Sequence, residues 1–294
     1  MNRIGVDVGG TKIEGVVLDE AGGELARARV PTPQGDYAAT VVRISELVAD
    51  LEQAHGPSRP QVGIGTPGAI DPTTHLLKNS NSTALNGQPL QLDLERALGR
   101  PVVLRNDADC FALSEARDGA AAGLAVVFGV IIGTGVGGGV VVRGQALLGP
   151  NAIAGEWGHN PLPWPRDDER PGPPCYCGLR GCIETFLSGP GFAARSGATD
   201  PTAILGAARQ GDPQSLAHVD LYCDRLARSL ATIINVLDPD AVVLGGGMSN
   251  ADEIYQRVPE LWADYAFTPT VSTPLLRNRH GDSSGVRGAA WLVP

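Results

Sequence analysis

Four side chains have the chemistry of a closed metal site. His159, Cys175, Cys177 and Cys182 offer one imidazole and three thiols, a donor set that holds structural zinc tetrahedrally and leaves no position for substrate. Gly178 and Gly181 permit the sharp turns that thiolates so close in sequence require. Residues 150–182 are rich in Pro and Gly, carry little apolar periodicity, and need such a staple to become ordered. Free thiols are the alternative. Cys110 and Cys223 fall in helical patterns and read as small buried hydrophobes.

A second chemistry is written in glycine. Asp7-Val8-Gly9-Gly10-Thr11-Lys12 puts a carboxylate at a strand end, then a turn without β-carbons, then a hydroxyl and an amine. Phosphate can approach the N–H groups of such a turn closely, and Asp7 can hold Mg²⁺ directly or through water. A plain hairpin turn would ask for the same glycines. Gly133-Thr134-Gly135-Val136-Gly137-Gly138 fits G-x-G-x-x-G, with Glu156 further on. A dinucleotide site needs a helix directly after those glycines, whereas Val140-Val141-Val142 reads as a strand, so a nicotinamide dehydrogenase is rejected. No G-x-x-x-x-G-K-[ST] is present. A third cluster, Gly245-Gly246-Gly247, follows the apolar run 241–244. Together these turns point to a nucleotide in a cleft between two lobes.

The elements that must position these groups follow from periodicity. Residues 4–8 and 13–18 form a hairpin, and 24–30 a third strand. Val41, Ile44, Leu47, Val48 and Leu51 predict a helix over 37–53, ended by Gly56-Pro57. A strand at 62–66, a helix at 93–98, a strand at 102–104 and a helix at 108–122 complete an α/β unit. Residues 126–132 and 139–142 repeat the strand, glycine turn, strand order at an offset of about 125 residues, which implies two related lobes. The uncharged stretch 124–142 has nearly the length of a membrane span, but its glycines fit two buried strands better than a helix. Leu221, Leu226, Leu230, Ile233, Ile234 and Leu237 mark a helix over 218–237, and 285–292 a final helix docked on the first lobe.

The chain has 294 residues, 43% hydrophobic and 19% charged, an ordinary globular composition. A formal net charge of −9 disfavours nucleic acid and anionic membrane as partners. The first residues run straight into a strand pattern with no apolar leader, which predicts a cytoplasmic protein.

The combination Asp7-x-Gly-Gly-Thr-Lys12, Gly133-Thr-Gly-x-Gly137, Gly155-Glu-Trp-Gly-His159 and Cys175-x-Cys-Gly-x-x-Gly-Cys-x-Glu184 resembles the ROK family of sugar kinases and repressors, within the actin–hexokinase superfamily. The resemblance implies two ribonuclease-H-like α/β lobes about a cleft: 1–117 completed by 282–294, and 118–281 with a zinc-binding insertion at 150–184. It implies ATP, Mg²⁺ and a structural Zn²⁺ on His159, Cys175, Cys177 and Cys182. Asp107 becomes the general base toward the sugar hydroxyl, where its bland alternative is a helix N-cap. Gly68, Asn81, Asn106, Glu156, His159 and Glu184 would bind sugar, with one His159 nitrogen on zinc and the other facing the sugar. Nucleotide contacts would come from Asp7, Gly9, Gly10, Thr11, Lys12, Gly133, Thr134, Gly135, Gly137, Gly138, Gly246 and Gly247, with Asp7 on magnesium. The stretches 78–83, 154–164 and 280–285 look most like bacterial fructokinases of the mannose/fructose type. The expected reaction is therefore transfer of the γ-phosphate to fructose or mannose, with N-acetylglucosamine kinase and glucokinase as alternatives. A sugar-sensing repressor is disfavoured, because the Asp7 motif leaves no room ahead of it for a helix-turn-helix, and homodimerisation stays open. Trp157 and Trp164 either pack under the loop or stack on sugar, and Arg279-His280-Gly281-Asp282 reads as a clasp or a surface loop.

Overall fold

Ile4, Val6 and Val8 alternate along the first strand, and burying them on one face starts a sheet. The computed structural model describes residues 2–55 and 61–293. The expected stop at Gly56-Pro57 lies outside the described residues. The chain runs β1 (Arg3–Val8), β2 (Lys12–Leu18), β3 (Glu24–Pro31), α1 (Tyr37–His55), β4 (Val62–Thr66), a small hairpin β5 (Ala69–Ile70) and β6 (Leu77–Lys78), α2 (Leu90–Leu98), β7 (Val102–Asn106) and α3 (Asp107–Arg117). It continues with β8 (Val126–Ile132), β9 (Val136–Val142), β10 (Gln145–Ala146), the insertion, α4 (Glu184–Leu187), α5 (Gly189–Arg195), α6 (Pro201–Arg209), α7 (Pro213–Leu237), β11 (Ala241–Gly245), α8 (Asp252–Leu261), β12 (Leu275–Arg277) and α9 (Ser284–Trp291).

The two halves repeat one plan. The first five-stranded sheet has the order β3-β2-β1-β4-β7 and the second β10-β9-β8-β11-β12. In each, an antiparallel meander is followed by two parallel strands. α1 covers the first sheet with Ile44, Leu47, Val48 and Leu51, and α7 covers the second with Leu226, Leu230 and Ile234.

Between the sheets lie α3 and α9. α9 rests on β1 and β4, and α3 on β8 and β9, with the two helices in contact. Glycine makes this approach close enough. A methyl group at Gly63 would collide with the Ala289 carbonyl, one at Gly139 with the Ala108 carbonyl, and one at Gly288 with the Cys110 carbonyl.

Several boundaries differ from the periodicity. β9 begins at Val136, so Gly137 and Gly138 are strand residues paired with Ile131 and Val130, and the glycine turn shrinks to 133–135. Cross-strand pairing outweighs the poor strand propensity of glycine. α3 stops at Arg117, short of 122, because the Glu115 carboxylate takes the Ala120 N–H out of the helical pattern. α7 starts at Pro213, five residues before the predicted 218, on an Asp212 cap that accepts from Ser215 N–H at 2.8 Å. α2 starts at Leu90 rather than 93.

The insertion has an anchor that periodicity does not show. Glu169, 2% exposed, accepts from Arg225 Nε at 2.8 Å and Arg228 Nη2 at 2.9 Å. Arg228 also donates to the carbonyls of Pro163 and Trp164. The loop is thus tied to α7 by a buried carboxylate shared between two arginines.

Gly63→Ala should lower stability by about 1–3 kcal/mol, since α9 must move off the sheet. Gly206→Ala, in α6 with nothing within 4 Å of the new methyl, should raise it by roughly 0.5–1 kcal/mol. Denaturant midpoints at constant m-value measure both.

Candidate active site

β7 ends and α3 begins at the floor of a cavity of ≈ 890 Å³. Asn106 is the N-cap, its Oδ1 accepting from Ala108 N–H at 2.8 Å, while Nδ2 donates to Gly68 O at 3.1 Å. Asp107 is therefore the first helical residue rather than the cap. Its Oδ1 accepts from the same N–H at 2.8 Å. Burial, reinforced by the charge of Glu156 and opposed by that N–H, pushes the Asp107 carboxyl up to about 6. Gly68 sits at φ +81, tight against the backbone of Lys78 and Ser80, where a β-carbon has no space.

The expected sugar-site residues Gly68, Asn81, Asn106, Asp107, Glu156, His159 and Glu184 all line this cavity. So do Gly133, Thr134, Gly135, Gly137 and Gly138. Glu184, at the start of α4, accepts from Val136 N–H at 2.9 Å and so braces the end of the glycine turn. Burial, with the charge of Glu184, raises the Glu156 carboxyl above its usual range.

The first glycine turn lies outside that lining. Gly9 N–H donates to Lys12 O at 2.9 Å, and Thr32 Oγ1 to Gly9 O at 2.7 Å, which holds Gly9 to Thr11 at the strand ends with Gly10 and Thr11 exposed. The Lys12 ammonium is 3.4 Å from Glu14, in a cluster that also holds Arg27 and Arg29. Asp7 accepts no hydrogen bond among the described residues, and burial, with the charges of Asp107 and Glu14, pushes it up to about 7. A half-buried, unpartnered carboxylate facing a second one is a chemical fit for a divalent cation. Gly246, at φ +80, packs on the Ile132 backbone next to Gly133, which brings the third glycine cluster to the second.

His159, Cys175, Cys177 and Cys182 place their ligand atoms within 4.8 Å of one another. His159 Nδ1 lies 3.5 Å from Cys175 Sγ, and Cys177 Sγ 3.6 Å from Cys182 Sγ. Sulfurs about 2.3 Å from a tetrahedral zinc would be roughly 3.8 Å apart, so the pocket fits the ion. His159 Nε2 meets Tyr176 Oη at 3.0 Å instead of standing free toward the cavity. Tyr176, Asn160, Ile153 and Leu179 are lining residues that sequence reasoning missed. Tyr176 carried a signal in lying between two ligands; the others carried none. Trp157 packs: its ring meets Phe128 edge-on and its Nε1 donates to Gly137 O at 3.0 Å. Trp164 stacks on Tyr265, with ring centroids 5.6 Å apart. Arg279 and His280 form a clasp, with Arg279 N–H on buried Glu115 and His280 on Asp118. Protein purified without added metal should hold one zinc per chain, and Cys182→Ser should abolish it and lower Tm; elemental analysis and calorimetry measure this.

The ROK family profile matches residues 3–294. An N-acetyl-D-glucosamine kinase of Yersinia pseudotuberculosis is 40% identical over 98% of this chain and 97% of its own. One from Shigella boydii is 42% identical over 98% of each chain. Among solved structures, a ROK hexokinase from Thermus thermophilus is 32% identical, with a TM-score of 0.89 over 100% of this chain and 98% of the other. A ROK family glucokinase from Streptomyces griseus, in complex with glucose and AMPPNP, is 28% identical with a TM-score of 0.79 over 100% and 99%. No described helix is long and apolar enough to cross a membrane, and the 124–142 stretch is the β8–β9 hairpin. With the duplicated sheets, the zinc-fit loop and a family match spanning nearly the whole chain, this protein belongs to the ROK family.

Proposed function

We propose that this member of the ROK family, a sugar kinase, transfers the γ-phosphate of ATP to the primary hydroxyl of a hexose, with Asp107 as the base. The observation that carries the reading is the Asp107 carboxylate at the start of α3, facing one cavity shared by Glu156, His159 and Glu184 on one side and the 133–135 turn on the other. Asp107 takes the proton of the sugar hydroxyl, that oxygen bonds to the γ-phosphorus, and the bond to the β–γ bridging oxygen breaks to release ADP. Asn106, Gly68, Asn81, Glu156 and Glu184 orient the sugar, with His159 acting on it from the metal loop through the neighbouring Tyr176, and Thr134 with the neighbouring N–H groups meets the phosphates. The Gly9–Thr11 turn and Gly246-Gly247 complete the nucleotide side, with residues 1–117 and 282–294 as one lobe and 118–281 as the other. Asp7 would hold Mg²⁺, which neutralises phosphate charge.

The relatives named N-acetyl-D-glucosamine kinase support that sugar as the substrate. Fructose is the second reading, supported by the stretches 78–83, 154–164 and 280–285.

Asp107→Asn keeps the shape and removes the base, so kcat should fall at least about 100-fold with the sugar KM little changed. Because the free-enzyme carboxyl is raised to about 6, kcat/KM at saturating Mg²⁺ should be full above that pH and fall as pH drops through it. An acid limb near pH 4, or wild-type turnover in the variant, would reject the assignment. Competition between N-acetyl-D-glucosamine and fructose at limiting ATP, read by phosphosugar mass, should give predominantly N-acetylglucosamine phosphate. Predominant fructose phosphate would select the second reading.

A further inference from the structure

Tyr176 lies between two cysteines of the metal cluster and is 77% exposed at the mouth of the cavity. An aromatic side chain held out in solvent gains little from burial, so polar partners must set its place. Its ring meets His159 edge-on, with centroids 5.1 Å apart at 87°. Its Oη is 3.0 Å from His159 Nε2.

The direction of that bond follows from the other side of the imidazole. Nδ1 faces the Cys175 sulfur at 3.5 Å, and a ring nitrogen that ligates zinc carries no proton. The proton of the neutral ring is then on Nε2, and Nε2–H donates to Tyr176 Oη. The O–H of Tyr176 is left with no acceptor among the described residues. Its surroundings are the lining already described, with Glu156 and Glu184 on the same cavity.

We propose that Tyr176 is a further sugar-binding residue, whose hydroxyl accepts from the zinc-oriented His159 and donates to an oxygen of the sugar. The inference rests on the reading of this cavity as the sugar site and adds one contact to it. Ile153 and Leu179, 49% and 62% exposed at the same mouth, give the apolar face of the sugar ring a surface to lie on.

Tyr176→Phe keeps the ring and its edge-on contact and removes only the hydroxyl. Calorimetric titration of the zinc-loaded variant with the hexose preferred in competition should give a Kd weaker by about 2- to 12-fold, the worth of one hydrogen bond. The sugar KM should rise in step, the ATP KM should hold, and kcat should stay within about twofold. Zinc content and Tm should match the parent. An unchanged sugar Kd would overturn the inference. A tighter Kd would also overturn it, since Tyr176 would then compete with sugar for His159, and loss of zinc would make the hydroxyl a support of the metal loop only. If the parent chain phosphorylates no hexose at all, the underlying reading fails and this contact falls with it; failure in the variant alone leaves that reading standing.

Discussion

The backbone contact between α3 and α9 at Gly288 and Cys110 sets the spacing of the two sheets, and the functional groups take their positions from it. Asp107 is the first residue of α3, and Asp7 is the next-to-last residue of β1, on which α9 lies. Gly285, at the start of α9, comes within 3.4 Å of Asp7, measured from where its β-carbon would stand. A helix pair held apart by ordinary side chains would sit some ångströms wider, and interiors this densely packed do not absorb such a change locally. The small residues along α3 and α9 therefore set the position of Asp7 and Asp107 through the helix spacing.

A cost comes with that geometry. Asp7, Asp107 and Asp109 crowd one end of the layer, and burial raises all three carboxyls, Asp109 to about 7. One Asp109 oxygen has no partner. Buried carboxylates of like charge destabilise a fold, yet a proton acceptor near neutrality is what a sugar hydroxyl needs. On the proposed reading, the raised carboxyl of Asp107 is one physical fact that costs the fold stability and gives the base its proton affinity.

The insertion solves a different problem. It has little core of its own, so beyond the few side chains it lends to the second lobe, Trp157, Leu162 and Ile183, its order comes from two polar ties: Glu169 on Arg225 and Arg228, and the Cys₃His cluster. Breaking one partner of such a buried pair costs about 3–5 kcal/mol, because the other charge is left bare. Glu156 and His159 stand at the two ends of one short 3-10 turn, and His159 is also part of the cluster.

Much of this was legible in the amino-acid order because it depends on local rules. Strand periodicity and the repeated glycine turns carry the duplicated sheets, and ligand type with spacing carries the metal cluster. The α/β class followed from those features, and the family from the resemblance of four motifs taken together. What only the tertiary structure decided was pairing between distant segments. That β9 begins at Val136 depends on β8, that α3 ends at Arg117 depends on the Glu115 carboxylate, and that Glu169 is an anchor depends on two arginines more than fifty residues away. The role of Asn106 as cap, the brace from Glu184 to Val136 and the Tyr176 bond to His159 are likewise set by three-dimensional proximity. Sequence spacing reports distances along the chain; a hydrogen bond or a buried charge answers to distance through space, and packing alone fixes that.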